Sequence, residues 1–446
     1  MITERRSRRP LAAALVALVT IIALEQMSIA AVLPLVERDL GDLWLYGWIG
    51  SAFTLAQLVG IVTAGRWADR SPALHPLLFG YAFYVLGLIA SAFAPSMPAL
   101  IGGRVIQGFG SGMAPAVAYV CIGRGFPPEE RPRMFAWLST AWVVPSLGGP
   151  VLASLVGERL GWRWVFGGVV PVAIVLGALV ARVVRRVPPP VDPSDEPSAL
   201  GTAARLAVGV GAVMAAATLG NPWAALPLVM AGVAMAVPAF RKLTPEGTLR
   251  AAPGTAAACA LKGLLTFAFF GADFYIALMI VDGRGRSTTF AAVALMVSSI
   301  TWTAGSWIQQ RWIRSVGPRS PVRAGFLLVA AGVGVMTLGT IDSIPPGIVF
   351  LGTAISGLGI GLAFSSLSVA VLASAEPGRE GFASSALQLC DVLGVSIGAG
   401  LGGAIVASGD RLDVSVLVSV GVTWVVCALV AVGASTLVGR LPQRIA

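Results

Sequence analysis

The sequence predicts an all-α membrane protein with fourteen transmembrane helices. Three observations carry that prediction. Apolar runs long enough to cross a bilayer recur from end to end, the polar stretches between most of them are short, and the basic residues collect on alternate loops. Of the 446 residues, 56% are hydrophobic and 12% are charged, and the mean hydropathy is +0.84, a balance soluble domains do not reach. The runs lie near 11–36, 45–66, 76–95, 98–120, 134–157, 164–184, 202–219, 222–240, 255–281, 287–310, 322–341, 345–374, 381–408 and 413–439. Each is long enough for a tilted helix through about 30 Å of hydrocarbon.

The basic opening Met1–Pro10 is followed by about 26 apolar residues with no small-residue cleavage site, so the first run reads as a retained helix and not a signal peptide. Glu25 lies near its middle. The second run leaves the membrane through Gly65-Arg66-Trp67-Ala68-Asp69-Arg70, and the third starts beside His75, read as a solvated loop residue. The fourth carries Arg104 inside Leu100–Gly112 (LIGGRVIQGFGSG), followed by Gly108, Gly110 and Gly112. An intramembrane guanidinium costs about 2.5–3.5 kcal/mol on insertion scales, so Arg104 is expected to face a polar interior or an anionic partner. The three glycines strip side chains from one helix face and let another backbone approach. The fifth and sixth runs meet at Gly161-Trp162-Arg163-Trp164-Val165-Phe166.

Arg185–Ser198 (RRVPPPVDPSDEPS) is the longest polar interruption and reads as an exposed linker. Two short Ala/Gly/Val-rich runs follow, joined by Asn221-Pro222, and Arg241–Pro253 forms a second linker. Six more runs complete the chain. The ninth contains Lys262, read as snorkelling to the cytoplasmic face, and Asp273 in its outer half. The thirteenth contains Asp391 in its inner half. The expected organisation is therefore residues 1–184 as one six-helix bundle, 185–253 as a linker with two inserted helices (about 202–219 and 222–240), and 254–446 as a second six-helix bundle. The bundles echo each other. Gly65-Arg66-Trp67 at the end of the second run parallels Gly305-Ser306-Trp307 at the end of the tenth, and Gly108-x-Gly110-x-Gly112 parallels Gly357-x-Gly359-x-Gly361 in the twelfth. No strand precedes either glycine triplet, so neither is a nucleotide loop, and both read as packing surfaces.

With both termini in the cytoplasm, 23 of the 31 lysines and arginines face inward, six face outward, and two, Arg104 and Lys262, lie within spans. That bias sets the orientation. It also explains the net charge of +10 without nucleic acid, because the basic residues are scattered over short loops and form no patch. Cys121, Cys259, Cys390 and Cys427 show no CxxC or Cys/His spacing and read as packing residues, with no metal site.

These residues resemble the major facilitator superfamily, and within it the fourteen-helix drug:proton antiporters. Arg104, Gln107, Gly108 and Gly110 are similar to the family's fourth-helix pattern R-x-x-Q-G-x-G, whose arginine the resemblance ties to proton coupling. Gly65, Asp69 and Arg70 match the loop signature G-x-x-x-D-R-x-G-R, a conformational switch in the family, although Ser71-Pro72-Ala73-Leu74 lacks its second glycine and arginine. Leu24 to Pro34 resembles the family's first-helix L-D…A-L-P segment, with Glu25 in the aspartate's place. Gly149-Pro150 keeps the start of the antiporter motif G-P-x-x-G-G, while Ala153 and Ser154 replace its last glycines. Gly161 to Phe166 matches the external G-W-R-W-x-F. The resemblance implies a monomeric transporter in the inner membrane.

Glu25, Asp273 and Asp391 are the carboxylates inside spans. A desolvated carboxyl resists ionisation, which makes each a candidate proton carrier beside Arg104. Each also has a structural reading, as an interhelical hydrogen bond, an ion pair or a cap. Gln26, Gln57, Gln107, Trp142, Phe270, Tyr275 and Gln388 are candidates for a polar and aromatic substrate cavity, or else ordinary packing residues. The spans hold no histidine, no Ser/Lys or Asp/Asp catalytic pairing at helical spacing and no phosphate loop. The expectation is a secondary transporter with no cofactor and no enzymatic activity, driven by an ion gradient. Proton-coupled efflux of hydrophobic or cationic small molecules by alternating access is the leading reading. A dedicated exporter or importer of an endogenous metabolite or lipid is the alternative.

Overall fold

The computed structural model describes residues 2–68, 70–127, 130–189, 200–219, 222–374 and 380–443. Among the described residues the chain is helical, with no strand. Its helices are α1 (Ile2–Leu40), α2 (Tyr46–Ala68), α3 (Leu74–Ala92), α4 (Met97–Gly125), α5 (Arg131–Leu160), α6 (Arg163–Gly167), α7 (Val169–Val184), α8 (Leu200–Thr218) and α9 (Pro222–Leu243). They continue as α10 (Thr255–Asp273), α11 (Ile276–Leu278), α12 (Thr288–Val316), α13 (Arg319–Leu338), α14 (Ile348–Ser374), α15 (Glu380–Arg411) and α16 (Val416–Leu437). Helix is the local answer because a chain in hydrocarbon must satisfy its backbone within each segment. Thirteen stretches are long and apolar enough to cross a membrane among the described residues. The 30-residue α5 falls on the remaining run and completes the fourteen.

Two expected spans are broken. The sixth divides into α6 and α7 at Gly168, and the ninth divides after α10, where Phe274-Tyr275 leads into α11 and a π turn at Met279–Gly283. Helix ends follow local chemistry. The hydroxyls of Ser287 and Ser415 accept from the amides of Phe290 (3.2 Å) and Val418 (3.4 Å), capping α12 and α16. Gly161 and Gly317 stop α5 and α12 with φ of 97° and 72°, which a side chain would resist.

Contacts divide the chain into two compact units, one of residues 1–41 and 52–204, the other of residues 42–51 and 205–446. In the first unit α3 packs on α4 and α1 on α5; in the second α13 and α12 pack on α14 and α10 on α15. Both use glycine in the same way. A methyl on Gly108 or Gly112 would run into the backbone carbonyls of Phe53 or Gln57 on α2, and one on Gly110 into Tyr84 on α3. In the second unit, Gly357 and Gly361 meet the carbonyls of Ser298 and Trp302 on α12, and Gly359 meets Gly325 on α13. The central helix of each triplet is thus wedged between two others by backbone contact, and the internal repeat expected from the sequence is present in the packing.

The glycine contacts predict position-dependent tolerance on a single helix. Gly108→Ala should lower stability by about 1–3 kcal/mol through overpacking. Gly102→Ala, also on α4 but with open space around it, should change stability by no more than about 1 kcal/mol. Thermal midpoints of the two purified variants check this.

Candidate functional site

In the first unit, α4 presents Arg104 and Gln107 one turn apart on the same face. Arg104 Nη1 donates to Glu25 Oε1 of α1 at 2.7 Å and to Gln107 Oε1 at 2.8 Å. The guanidinium carbon lies 4.0 Å from the centre of the Phe53 ring of α2. The pair is sealed, Arg104 being 2% and Glu25 1% exposed. Tyr84 of α3 is fully buried and within electrostatic range of both. Packing explains how five side chains from four helices converge: Gly87 of α3 has Gln107 where its side chain would stand, and Gly103 of α4 faces Ser91. Three polar atoms here, Glu25 Oε2, Gln107 Nε2 and Tyr84 Oη, are buried with no hydrogen-bond partner. Each such atom costs about 1–3 kcal/mol, so the site holds unspent hydrogen-bonding capacity.

In the second unit, Lys262 departs from its expected position. It is 2% exposed and does not reach the membrane surface. Its Nζ lies 2.6 Å from the centre of the Phe364 ring of α14 and donates to the Phe364 carbonyl at 3.4 Å. The lysine is buried within the unit, its ammonium held by Phe364 of α14, so it does not snorkel. Phe364 continues an aromatic cluster through Trp302 (5.3 Å between ring centres) to Phe269 (5.5 Å) and Phe270 (5.9 Å). Asp391 of α15 is half-buried and within electrostatic range of Lys262, and its backbone carbonyl accepts from Thr266 Oγ1 at 3.0 Å. Asp273, at the C-terminus of α10, is half-buried. Tyr275 is fully buried with its hydroxyl donating to the Ala399 carbonyl.

Of the other candidates, Gln26 is half-buried with its amide nitrogen unpartnered, and Gln57, Trp142 and Gln388 are half-buried. In the loop after α2, Gly65 is half-buried, Arg70 is exposed, and Asp69 lies outside the described residues. Arg124 Nη2 from the end of α4 donates to the Ala68 carbonyl at the end of α2 (2.7 Å). The Gly161–Phe166 segment acts as a clasp: Trp162 Nε1 donates to Asp39 of α1 at 3.0 Å, while Arg163 bonds both Asp39 and the Ala94 carbonyl after α3. The four cysteines are buried free thiols. No group of three or more metal-ligating side chains occurs among the described residues.

The structure therefore unites Glu25, Arg104 and Gln107, and sets Asp391 beside Lys262. Phe53, Tyr84 and Phe364 are additions. Nothing in the sequence distinguishes these rings from other aromatics in apolar runs, whereas Lys262 was marked by its intramembrane charge alone.

Known proteins resemble this chain. Residues 15–399 match the Major Facilitator Superfamily. A probable multidrug-efflux transporter of Mycobacterium tuberculosis is 27% identical over 439 residues, covering 94% of this chain and 92% of that protein. The tetracenomycin C resistance and export protein of Streptomyces glaucescens is 28% identical, covering 87% and 74%. Among solved structures, the POT family transporter PepTSo aligns with a TM-score of 0.70 at 14% identity, over 96% of this chain and 97% of that one. The xylose transporter XylE of E. coli aligns with a TM-score of 0.64 at 13% identity, over 96% of each chain.

Removing one member of the sealed pair strands the other. Arg104→Met or Glu25→Met alone should each cost about 3–5 kcal/mol. The double variant should cost clearly less than the sum of the two, because neither charge is left unpaired. Detergent melting curves of the three variants measure the coupling.

Proposed function

The chain belongs to the Major Facilitator Superfamily, a family of transporters, and from that premise we propose that this secondary active transporter exports lipophilic, often cationic small molecules against an inward flow of protons. Its orientation on this reading is that of an inner-membrane protein with both termini in the cytoplasm, supported by the inward bias of lysine and arginine. The names of the Mycobacterium and Streptomyces relatives support efflux. The Streptomyces name, tied to one compound, also favours a narrower reading in which a single metabolite is exported.

The observation that carries proton coupling is the buried Glu25–Arg104 pair. With the carboxyl ionised, the pair is neutral overall and locks α1 to α4 through the 2.7 Å contact. A proton on Glu25 cancels the carboxylate and leaves Arg104 cationic, still held by Gln107 and the Phe53 ring. The α1–α4 tie then weakens, and the proton and the cargo bias the same two-state bundle, which is what coupling requires. Each pH unit across the membrane supplies about 1.4 kcal/mol per proton, enough to concentrate cargo about tenfold. In this role Arg104 makes the empty carboxylate tolerable at membrane depth and so promotes proton release. Asp273 and Asp391 are further candidate proton or cation sites, and Gln26, Gln57, Trp142, Phe270, Tyr275 and Gln388 are candidate cargo contacts.

Glu25→Gln keeps an oxygen for Arg104 and removes the titrating group. In proteoliposomes without sodium, the wild type should move ethidium in response to an imposed pH gradient and reverse direction when the gradient is reversed. Glu25→Gln should lose at least about tenfold of that proton-driven rate. Full proton-driven transport by the variant would remove Glu25 from the mechanism, and transport by the wild type that needs sodium instead of protons would replace the coupling ion.

A further inference from the structure

Each unit sets a buried cation beside a carboxylate within its spans, and the two arrangements differ. In the first unit Arg104 and Glu25 are in contact. In the second, Lys262 of α10 and Asp391 of α15 sense each other electrostatically, yet no ion pair closes between them and the ammonium turns to the Phe364 ring and carbonyl instead. The helices that carry them cross at glycine: a methyl on Gly394 would strike the Gly263 carbonyl, and one on Gly263 would lie 2.9 Å from the Cys390 carbonyl. Lys262 and Asp391 are therefore neighbours of a close backbone contact between α10 and α15.

We infer that Lys262 and Asp391 form a second proton-exchanging site, separate from Glu25, so that a transport cycle carries two protons. This rests on the proton-coupled reading above. A sealed ammonium at 2% exposure with no direct counter-ion is poorly placed as a permanent charge. A half-buried carboxylate beside it supplies a partner with which a proton can be exchanged. Facing the pair, α10 adds the Cys259 thiol and the Thr266 hydroxyl, α15 adds the Cys390 thiol, and α14 adds the Phe364 ring and carbonyl; on α16, Cys427 meets Gly271, further along α10. Among the described residues no further lysine, arginine or carboxylate acts on either group. The pair is neutral overall whether the proton sits on the amine or has passed to the carboxylate. A second proton, drawn from water on one side, makes it cationic, and releasing that proton to the other side resets it. Contact between Lys262 and Asp391 is weak enough for this exchange because the aromatic ring shares the ammonium.

The test measures coupling ratio. In proteoliposomes clamped at zero membrane potential, one pH unit sustains an ethidium gradient of about 100-fold if two protons move per cargo and about tenfold if one does. Wild type should approach the first value. Lys262→Met/Asp391→Asn, which removes both charges together, should approach the second while still transporting through Glu25. A wild-type ratio in the double variant overturns the second site and leaves Glu25 coupling standing. A wild type that sustains no gradient from pH overturns both. Should the double variant not purify, proton release on ethidium binding in detergent decides: Glu25→Gln should still release about one proton where the wild type releases about two, and release of none overturns the pair.

Discussion

Close approach of helix backbones at glycine is the constraint on which each unit depends. Lipid supplies no hydrophobic drive between helices, so their association rests on tight packing and on the polar contacts it permits. On α4 the glycines at 108, 110 and 112 bring α2 and α3 against the backbone, and this closeness allows Phe53 to reach a guanidinium on the same helix, with Tyr84 buried nearby. On α14 the glycines at 357, 359 and 361 repeat the arrangement with α12 and α13. A charge at membrane depth then meets partners from several helices instead of hydrocarbon.

The two buried pairs show how the same constraint yields different chemistry. Arg104 has a planar fork with several donors, so one nitrogen serves both Glu25 and Gln107 while the ring of Phe53 covers the face. Lys262 is a point charge on a flexible stem, and its ammonium settles on an aromatic ring and a carbonyl with Asp391 held off. A closed pair with unused acceptor and donor atoms can register the arrival of a proton as a broken tie between helices. An open pair registers it chiefly as a change of net charge. Both properties suit a transporter whose energy source is a gradient and whose states must differ by only a few kcal/mol.

Most of the fold was legible because the membrane acts on local properties. Length, apolarity and the placement of arginines are readable residue by residue, and the helices fall on the fourteen expected runs. The breaks at Gly168 and at Phe274-Tyr275 were not, since each lies inside a run long enough to be read as one span. The candidate site was legible where a residue violates its environment. Glu25, Arg104, Lys262 and Asp391 are conspicuous as charges in hydrocarbon, and the spacing of Arg104 and Gln107 places them on one helical face.

The sequence by itself determined which segments enter the bilayer, which charges are carried in with them, and which helix faces are bare enough for backbones to meet. Those facts depend on composition and on the 3.6-residue period. Only the tertiary structure decided that Glu25 closes on Arg104, that Lys262 is covered by α14 instead of stretching to the surface, and that Tyr84 joins the first pair. Such partnerships join residues far apart in the chain, so they depend on the rotation and depth at which one helix docks on another, and no local pattern encodes either.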